Sequence, residues 1–215
     1  MPLILMIGAP VLCLFVCLPL FMHYKQHLQY RLASLYKSTG TLCAMIPALV
    51  AAIRLDPRCY ICVAAIGLHA AADYALEFNM YLGAGLFMAG HIFYIAFFLQ
   101  LFPLSPVHIA GLICLFAIFA FVLYRNRKVV GKQMLPFAVY GSVLCVMTAS
   151  ALGCMSSFVP QGMMIAAGGT LFFISDAILL HRTLYPAGKA VSWIIMVTYY
   201  AAQLLIGLSC LKIGA

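Results

Sequence analysis

Long apolar runs, broken at short intervals by proline, glycine or charged residues, dominate the chain. Eight of them approach the about 20 residues needed to cross a bilayer core of about 30 Å. They extend from Leu3 to Met22, Leu35 to Ile53, Cys59 to Leu76, Met80 to Phe102, Val107 to Tyr124, Met134 to Gly153, Met163 to His181 and Val191 to Leu211. In lipid the backbone polar groups must be satisfied within the segment, so continuous runs of this length predict helices, not strands. Pro103, Ser105 and Pro106 interrupt the pattern at one junction, and Pro160, Gln161 and Gly162 at another, as turn-forming residues do. The longest connections, His23 to Ser34 and Arg125 to Gln133, are too small to hold a second domain. The pattern therefore predicts an all-α, polytopic integral membrane bundle of about eight transmembrane helices, with residues 1–215 as a single domain. The first run has no basic segment ahead of it and meets its first charge at Lys25, so it is expected to be a retained helix rather than a secretory signal.

Composition agrees with the pattern. Hydrophobic residues make up 67% of the chain and charged residues 7%, against about a quarter charged in a soluble domain, so a soluble fold could not cover its surface. With eight spans, the first, third, fifth and seventh connections share one side. That side holds Lys25, Arg31, Lys37, Arg125, Arg127, Lys128, Lys132, Arg182 and Lys189, while the opposite side holds only Arg54, Arg58 and Lys212. Basic residues collect in the cytoplasm, which predicts both termini outside, with the cell or inner membrane as the location if the source is bacterial. The same bias, together with attraction to anionic headgroups, accounts for the net charge of +8. No nucleic-acid partner is called for. Most of the nine cysteines fall inside apolar runs, where a free thiol packs as a small hydrophobe. Cys59 and Cys62 form a C-x-x-C without a second pair or a neighbouring histidine, a weak metal signal.

The chain has four acidic residues: Asp56, Asp73, Glu77 and Asp176. Asp56 stands beside Pro57 in a connection and is expected to be solvated. The others lie in or at the ends of apolar runs, where an ionisable group costs at least about 2.5 kcal/mol and marks a functional site by default. His69, Asp73 and Glu77, spaced by four, share one helical stripe. Asp176 lies in the seventh run, ahead of His181 and Arg182. Lys37, Ser38 and Thr39 open the second run, and Ser192, Tyr199 and Gln203 share a stripe of the eighth. Polar groups from four helices thus converge in the basic, cytoplasmic half. The plainer account makes Asp73 and Lys37 a structural ion pair and His69 a satisfied core histidine. Two aspartates at similar depth on different helices favour a shared site instead. Tyr36, Tyr81, Tyr124, Tyr185 and Trp193 read as interface anchors. Gly83, Gly90 and the run Ala166 to Gly169 read as close-packing positions.

His69-Ala-Ala-Ala-Asp73-Tyr-Ala-Leu, followed by Gly83-Ala-Gly85-Leu-Phe87-Met-Ala-Gly90-His91-Ile-Phe-Tyr94, resembles the signature of the YhhN-like lysoplasmalogenases. In that family an aspartate-bearing helix precedes one with a Phe-x-x-Gly-His-x-x-Tyr pattern. Phe-Ile-Ser175-Asp176-Ala-Ile-Leu is similar to the family's second aspartate motif, and Lys37 near the start of the second helix also fits. The resemblance covers nearly the whole chain. It departs at Ala72, where the family usually has glycine.

The resemblance implies hydrolysis of the vinyl ether bond of lysoplasmalogens, with a lysophospholipid substrate, surrounding membrane lipids as partners and no cofactor or metal. The products are a fatty aldehyde and glycerophosphoethanolamine or glycerophosphocholine. A vinyl ether resists nucleophiles but opens once its β-carbon is protonated to give an oxocarbenium ion. One protonated acid and one carboxylate suit that need, as in glycosidases. Asp73 and Asp176 are the expected catalytic pair, with the division of roles open. Lys37, His69, Glu77, His91, Tyr94, Ser175 and Tyr199 are the expected supporting set, Lys37 toward the phosphate and His91 with Tyr94 toward water or substrate. At 1.5 Å per residue, Asp73 would lie about 5 Å from its helix end and His91 about 16 Å, nearer the alkenyl chain. Two other classes of protein compete. A zinc-dependent lipid hydrolase could use His69, Asp73, His91 and His181, although nothing matches H-E-x-x-H. An ion- or proton-coupled transporter also needs membrane carboxylates, but with broken helices near the midplane.

Overall fold

A computed structural model describes residues 2–157 and 159–212, with side chains from residue 7 onward. The described residues form eight principal helices and no strand. Helix α1 is a continuous rod made of Pro2–Val11, a π-helical stretch Leu12–Cys17, and Leu18–Gln26. It is followed by α2 (Tyr30–Arg54), α3 (Cys59–Ala75), α4 (Met80–Leu101), α5 (Pro106–Arg125), α6 (Met134–Gly153), α7 (Pro160–Leu184) and α8 (Lys189–Ser209). Among the described residues seven helices are long and apolar enough to cross a membrane, and α3, with 17 residues, is a shorter apolar helix. The protein is an all-α, multi-pass membrane bundle.

The helix ends follow from local chemistry. Asn79 caps α4 by accepting the backbone N–H groups of Tyr81 and Leu82 at 3.1 Å, which satisfies donors that the helix leaves free. Ser105 and His108 form a reciprocal capping box on α5, with Pro106 in its first turn. Pro10 and Pro19 flank the π-helical stretch of α1, and each withholds an N–H from the helical ladder. The twelve-residue connection expected between the first two spans is much shorter, because α1 runs on to Gln26 and α2 begins at Tyr30; Leu28 makes the turn with φ 58°. The basic Arg125 to Gln133 connection is likewise ordered as a helical turn, Arg127–Val130, and a 3-10 turn, Gly131–Gln133.

Helices α2, α3, α4, α7 and α8 form the centre of the bundle. Helix α3 packs on α2 and α4, and α8 packs on α7 and α2. Small residues permit this, as expected where lipid removes the hydrophobic drive for helices to associate. Ala44, Ala48, Ala51, Ala65 and Ala72 are fully buried on α2 and α3. Gly90 on α4 lies against the His69 ring, which a Cβ there would overlap. Helix α5 is peripheral. It packs on α6, and His108 is its only buried residue. The exposed Ile109, Ile113 and Phe121 give it an outer face suited to lipid.

Candidate active site

Asp73 reaches the centre of the bundle in the last turn of α3, and its side chain is fully buried. Helix α2 presents Lys37 and Thr41 to it, four residues apart and so on one face. The Lys37 ammonium stands 3.1 Å from Asp73 Oδ1 as an ion pair, off the alignment of a hydrogen bond, and the Thr41 hydroxyl donates to Oδ2. Helix α8 adds Tyr199 and Gln203, again four apart. Tyr199 donates its phenol to Asp73 Oδ2 at 2.7 Å and accepts from Gln203 Nε2 at 3.2 Å.

Gln203 links Asp73 to His69. Its Nε2 donates to His69 Nδ1 at 2.9 Å, while its Oε1 accepts the Tyr94 hydroxyl at 2.6 Å. His69 Nε2 lies 3.2 Å from the Phe87 carbonyl, which can only accept. His69 therefore carries its proton on Nε2, accepts at Nδ1, and is a neutral ring held at both nitrogens. Buried without these partners, each polar group would cost about 1–3 kcal/mol.

A second carboxylate stands across the site. Asp176, buried on α7, accepts the Tyr140 hydroxyl from α6 at 2.5 Å, and His91 Nε2 from α4 lies 3.7 Å from the same Oδ2. His91 Nε2 is also 3.3 Å from the Tyr140 oxygen, while its Nδ1 is buried without a partner. The His69 and His91 rings meet edge to face at 5.0 Å, so the groups around the two aspartates touch through this pair. Beside Asp176, Ser175 donates to the Ile195 carbonyl at 3.1 Å and ties α7 to α8.

Both aspartates line one polar chamber of about 350 Å³. Lys37, Glu77, Ser175 and Tyr199 share its walls, and Lys25, Arg182 and Ser192 complete its polar rim. An apolar groove of about 230 Å³ adjoins it, formed by α4, α5, α6 and α7, with Ile118, Phe119, Phe137 and Leu144 among its walls. Leu76, Met80, Phe87, Tyr140, Asp176 and Leu179 border both spaces. Asp176 thus sits at their junction, whereas Asp73 belongs to the chamber alone.

Of the nine residues expected from sequence, six line the chamber. His69, His91 and Tyr94 stand behind its walls: His69 is bonded to the Phe87 carbonyl, His91 contacts Asp176, and Tyr94 is linked through Gln203 to Tyr199. The separation in depth expected between His91 and the acids is corrected, since His91 is in reach of Asp176. Helix α7 continues past His181 to Leu184, so Asp176 lies eight residues, about 12 Å, before its end. Glu77 is bound by Lys25 at 2.6 Å, linking the end of α3 to α1. Thr41 and Tyr140 carry no mark in the sequence reading. Thr41 had a usable signal in its i, i+4 relation to Lys37, but Tyr140 looks like any tyrosine in an apolar helix. His69, Asp73, His91 and His181 do not form a metal site, and no group of three or more His, Cys, Asp or Glu among the described residues is arranged as one. Asp56 is half-buried and chelated by Arg58 at 2.6–3.1 Å, and these hydrogen bonds hold its carboxyl below the ordinary aspartate range.

The YhhN family model matches residues 32–210, and the chain belongs to that family. The lysoplasmalogenase TMEM86B of Homo sapiens is 39% identical to it over 80 residues, which are 37% of this chain and 32% of the human protein. The match thus spans about a third of the curated relative. No solved structure matches the chain.

Proposed function

We propose that this member of the YhhN family is a membrane hydrolase that cleaves the vinyl ether bond of lysoplasmalogens, with Asp73 and Asp176 as its acid–base pair and the whole chain working as one transmembrane domain. The observation that carries the reading is the pairing of two carboxylates on one chamber that opens into an apolar groove. A lysolipid has the matching form, with a polar headgroup, a glycerol carrying a reactive ether beside it, and one long chain. The name of the human relative points the same way.

The position of each acid suggests its role. The carbon to be protonated is the first chain carbon beyond the ether-bearing one, so the donor belongs where chamber and groove meet. Asp176 borders both spaces. It gives its proton to that β-carbon, and the positive charge develops on the carbon bonded to the ether oxygen. Asp73, on the polar side with Lys37, stabilises the cation and takes a proton from the water that attacks it. The resulting hemiacetal collapses as its C–O bond to glycerol breaks. The glycerol oxygen gains a proton, the hemiacetal hydroxyl loses one, and a fatty aldehyde and a glycerophospho-alcohol leave. Tyr140 orients Asp176 through its 2.5 Å hydrogen bond, while Tyr199 and Thr41 orient Asp73.

The test is turnover of a vinyl-ether lysolipid in heavy water, with the aldehyde reduced at once to prevent back-exchange. One deuterium on the carbon next to the former carbonyl is expected, and cleavage of the ester analogue should be negligible. An unlabelled aldehyde would sink the carbon-protonation mechanism. Preferential cleavage of the ester would sink the vinyl-ether assignment.

A further inference from the structure

Three cations reach the chamber from three helices: Lys25 on α1, Lys37 on α2 and Arg182 on α7. Two are engaged. Lys25 Nζ lies 2.6 Å from Glu77 Oε1, and Lys37 Nζ lies 3.1 Å from Asp73 Oδ1. Arg182 is half-buried near the end of α7 and has no ion pair or hydrogen bond among the described residues. A guanidinium offers a planar fork of N–H donors that fits two oxygens of a phosphodiester, and an unpaired one on a chamber wall is suited to receive an anion.

The Glu77 carboxylate complements this. It lines the same chamber, its side chain is 9% exposed, and the group it holds is a primary ammonium. That ammonium sits at the tip of a lysine whose side chain is 32% exposed, which leaves the tip room to turn. An incoming ammonium could take the place of Lys25 on Glu77 while Lys25 turns to an incoming phosphate. No buried charge is then left unpaired at any stage, which avoids the main cost of opening such a pair.

We propose that Arg182, Lys25 and Glu77 form a receptor for a zwitterionic phosphoethanolamine headgroup. Arg182 and Lys25 take the phosphodiester and Glu77 takes the terminal ammonium. A trimethylammonium group has no N–H to donate and cannot replace Lys25 in kind, so the receptor discriminates against phosphocholine. The assignment rests on the proposed hydrolase reading for the identity of the chain, but its headgroup chemistry is separable from catalysis.

The experiment uses the purified full-length protein in two arms. The first measures binding of a saturated alkyl-ether lysophosphoethanolamine, which has no vinyl bond to cleave, and of its phosphocholine counterpart. The wild type is expected to bind the ethanolamine lipid about tenfold more tightly, the effect of roughly one charge-assisted hydrogen bond. Glu77→Gln should erase that preference. Arg182→Gln should weaken both lipids about tenfold or more, with Arg182→Lys between it and the wild type, because the charge survives without the fork. The second arm compares kcat/KM for alkenyl lysophosphoethanolamine and for alkenylglycerol, which has no phosphate. Arg182→Gln should collapse the ratio between them through KM rather than kcat. Equal binding by wild type and Arg182→Gln would overturn the receptor. So would displacement of the lipid by inorganic phosphate as effectively from Glu77→Gln as from the wild type without headgroup preference, the behaviour of a plain anion site. If the wild type cleaves no vinyl ether, the hydrolase reading fails while the binding arm still decides the headgroup site.

Discussion

At the scale of single residues, the two aspartates differ in what surrounds them. Asp73 has an ammonium and two hydroxyls around it, whereas Asp176 has one phenol and a histidine edge. Replacing either by asparagine keeps the shape and removes the proton chemistry. Asp73→Asn and Asp176→Asn should each lower turnover by about a thousandfold or more, as loss of a catalytic group does. Monodisperse elution in detergent would show that the fold survives. Asp56→Asn should stay within twofold of wild type, since that residue answers only to Arg58 in an exposed loop. Tyr140→Phe should cost on the order of tenfold to a hundredfold in kcat through loss of one charge-assisted hydrogen bond. Near-normal rates in Tyr140→Phe would remove it from the mechanism. These carboxylates were legible in the sequence because charge in an apolar run is rare. Thr41 and Tyr140 were not, because neither residue type is unusual in a membrane helix and their roles arise from neighbours on other helices.

At the scale of helices, the seam between α3 and α4 is tightly constrained. Gly90 lets α4 approach until its backbone meets the His69 ring, and that ring is held at both nitrogens. In an open helix Gly→Ala gains about 1 kcal/mol. Here the added carbon must displace a tethered ring, and overpacking of that kind costs about 1–3 kcal/mol. Gly90→Ala should therefore lower the thermal midpoint in detergent and disturb activity through His69 and Gln203. A rise in stability would show that the seam can relax. Gly83, Gly90 and the Ala166 to Gly169 run were legible as packing positions because small residues in lipid-spanning helices have few other uses. The partner surface of each was not, since spacing along one helix says nothing about what faces it. The π-helical stretch of α1 was equally hidden, as two prolines in an apolar run do not reveal how the ladder between them adjusts.

At the scale of the whole molecule, the basic residues and the chamber share one end of the bundle, for Lys25, Lys37 and Arg182 all line it. On the positive-inside bias we propose that this end of the bundle, with the chamber and the Asn126 turn, faces the cytoplasm and that both termini lie outside. A cysteine introduced at Asn126, with the native thiols controlled for, should resist an impermeant reagent on intact cells and react after permeabilisation. Labelling from outside would reverse the orientation. The apolar groove gives a second test. Ala84 and Ala177 line it, and a tryptophan at either should obstruct a long chain more than a short one. Ala177→Trp should lower kcat/KM at least tenfold more for a long-chain than for a short-chain vinyl-ether lysolipid, because each chain CH₂ that loses its apolar contact forfeits about 0.8 kcal/mol. Equal losses on both would separate the groove from the substrate chain.

The sequence by itself determined the membrane class, the helices and the presence of costly acids within them. Those properties depend on one segment and its solvent: the length of an apolar run, the need to close backbone hydrogen bonds in lipid, and the penalty for a charge there. Tertiary structure alone decided which groups meet. It put Tyr140 on Asp176, Gln203 between His69 and Tyr199, Lys25 on Glu77, and a polar chamber against an apolar groove. Each of these depends on the rotation and depth of one helix relative to another. Small residues set that fit by letting backbones come close, and their own sequence pattern does not name the side they contact.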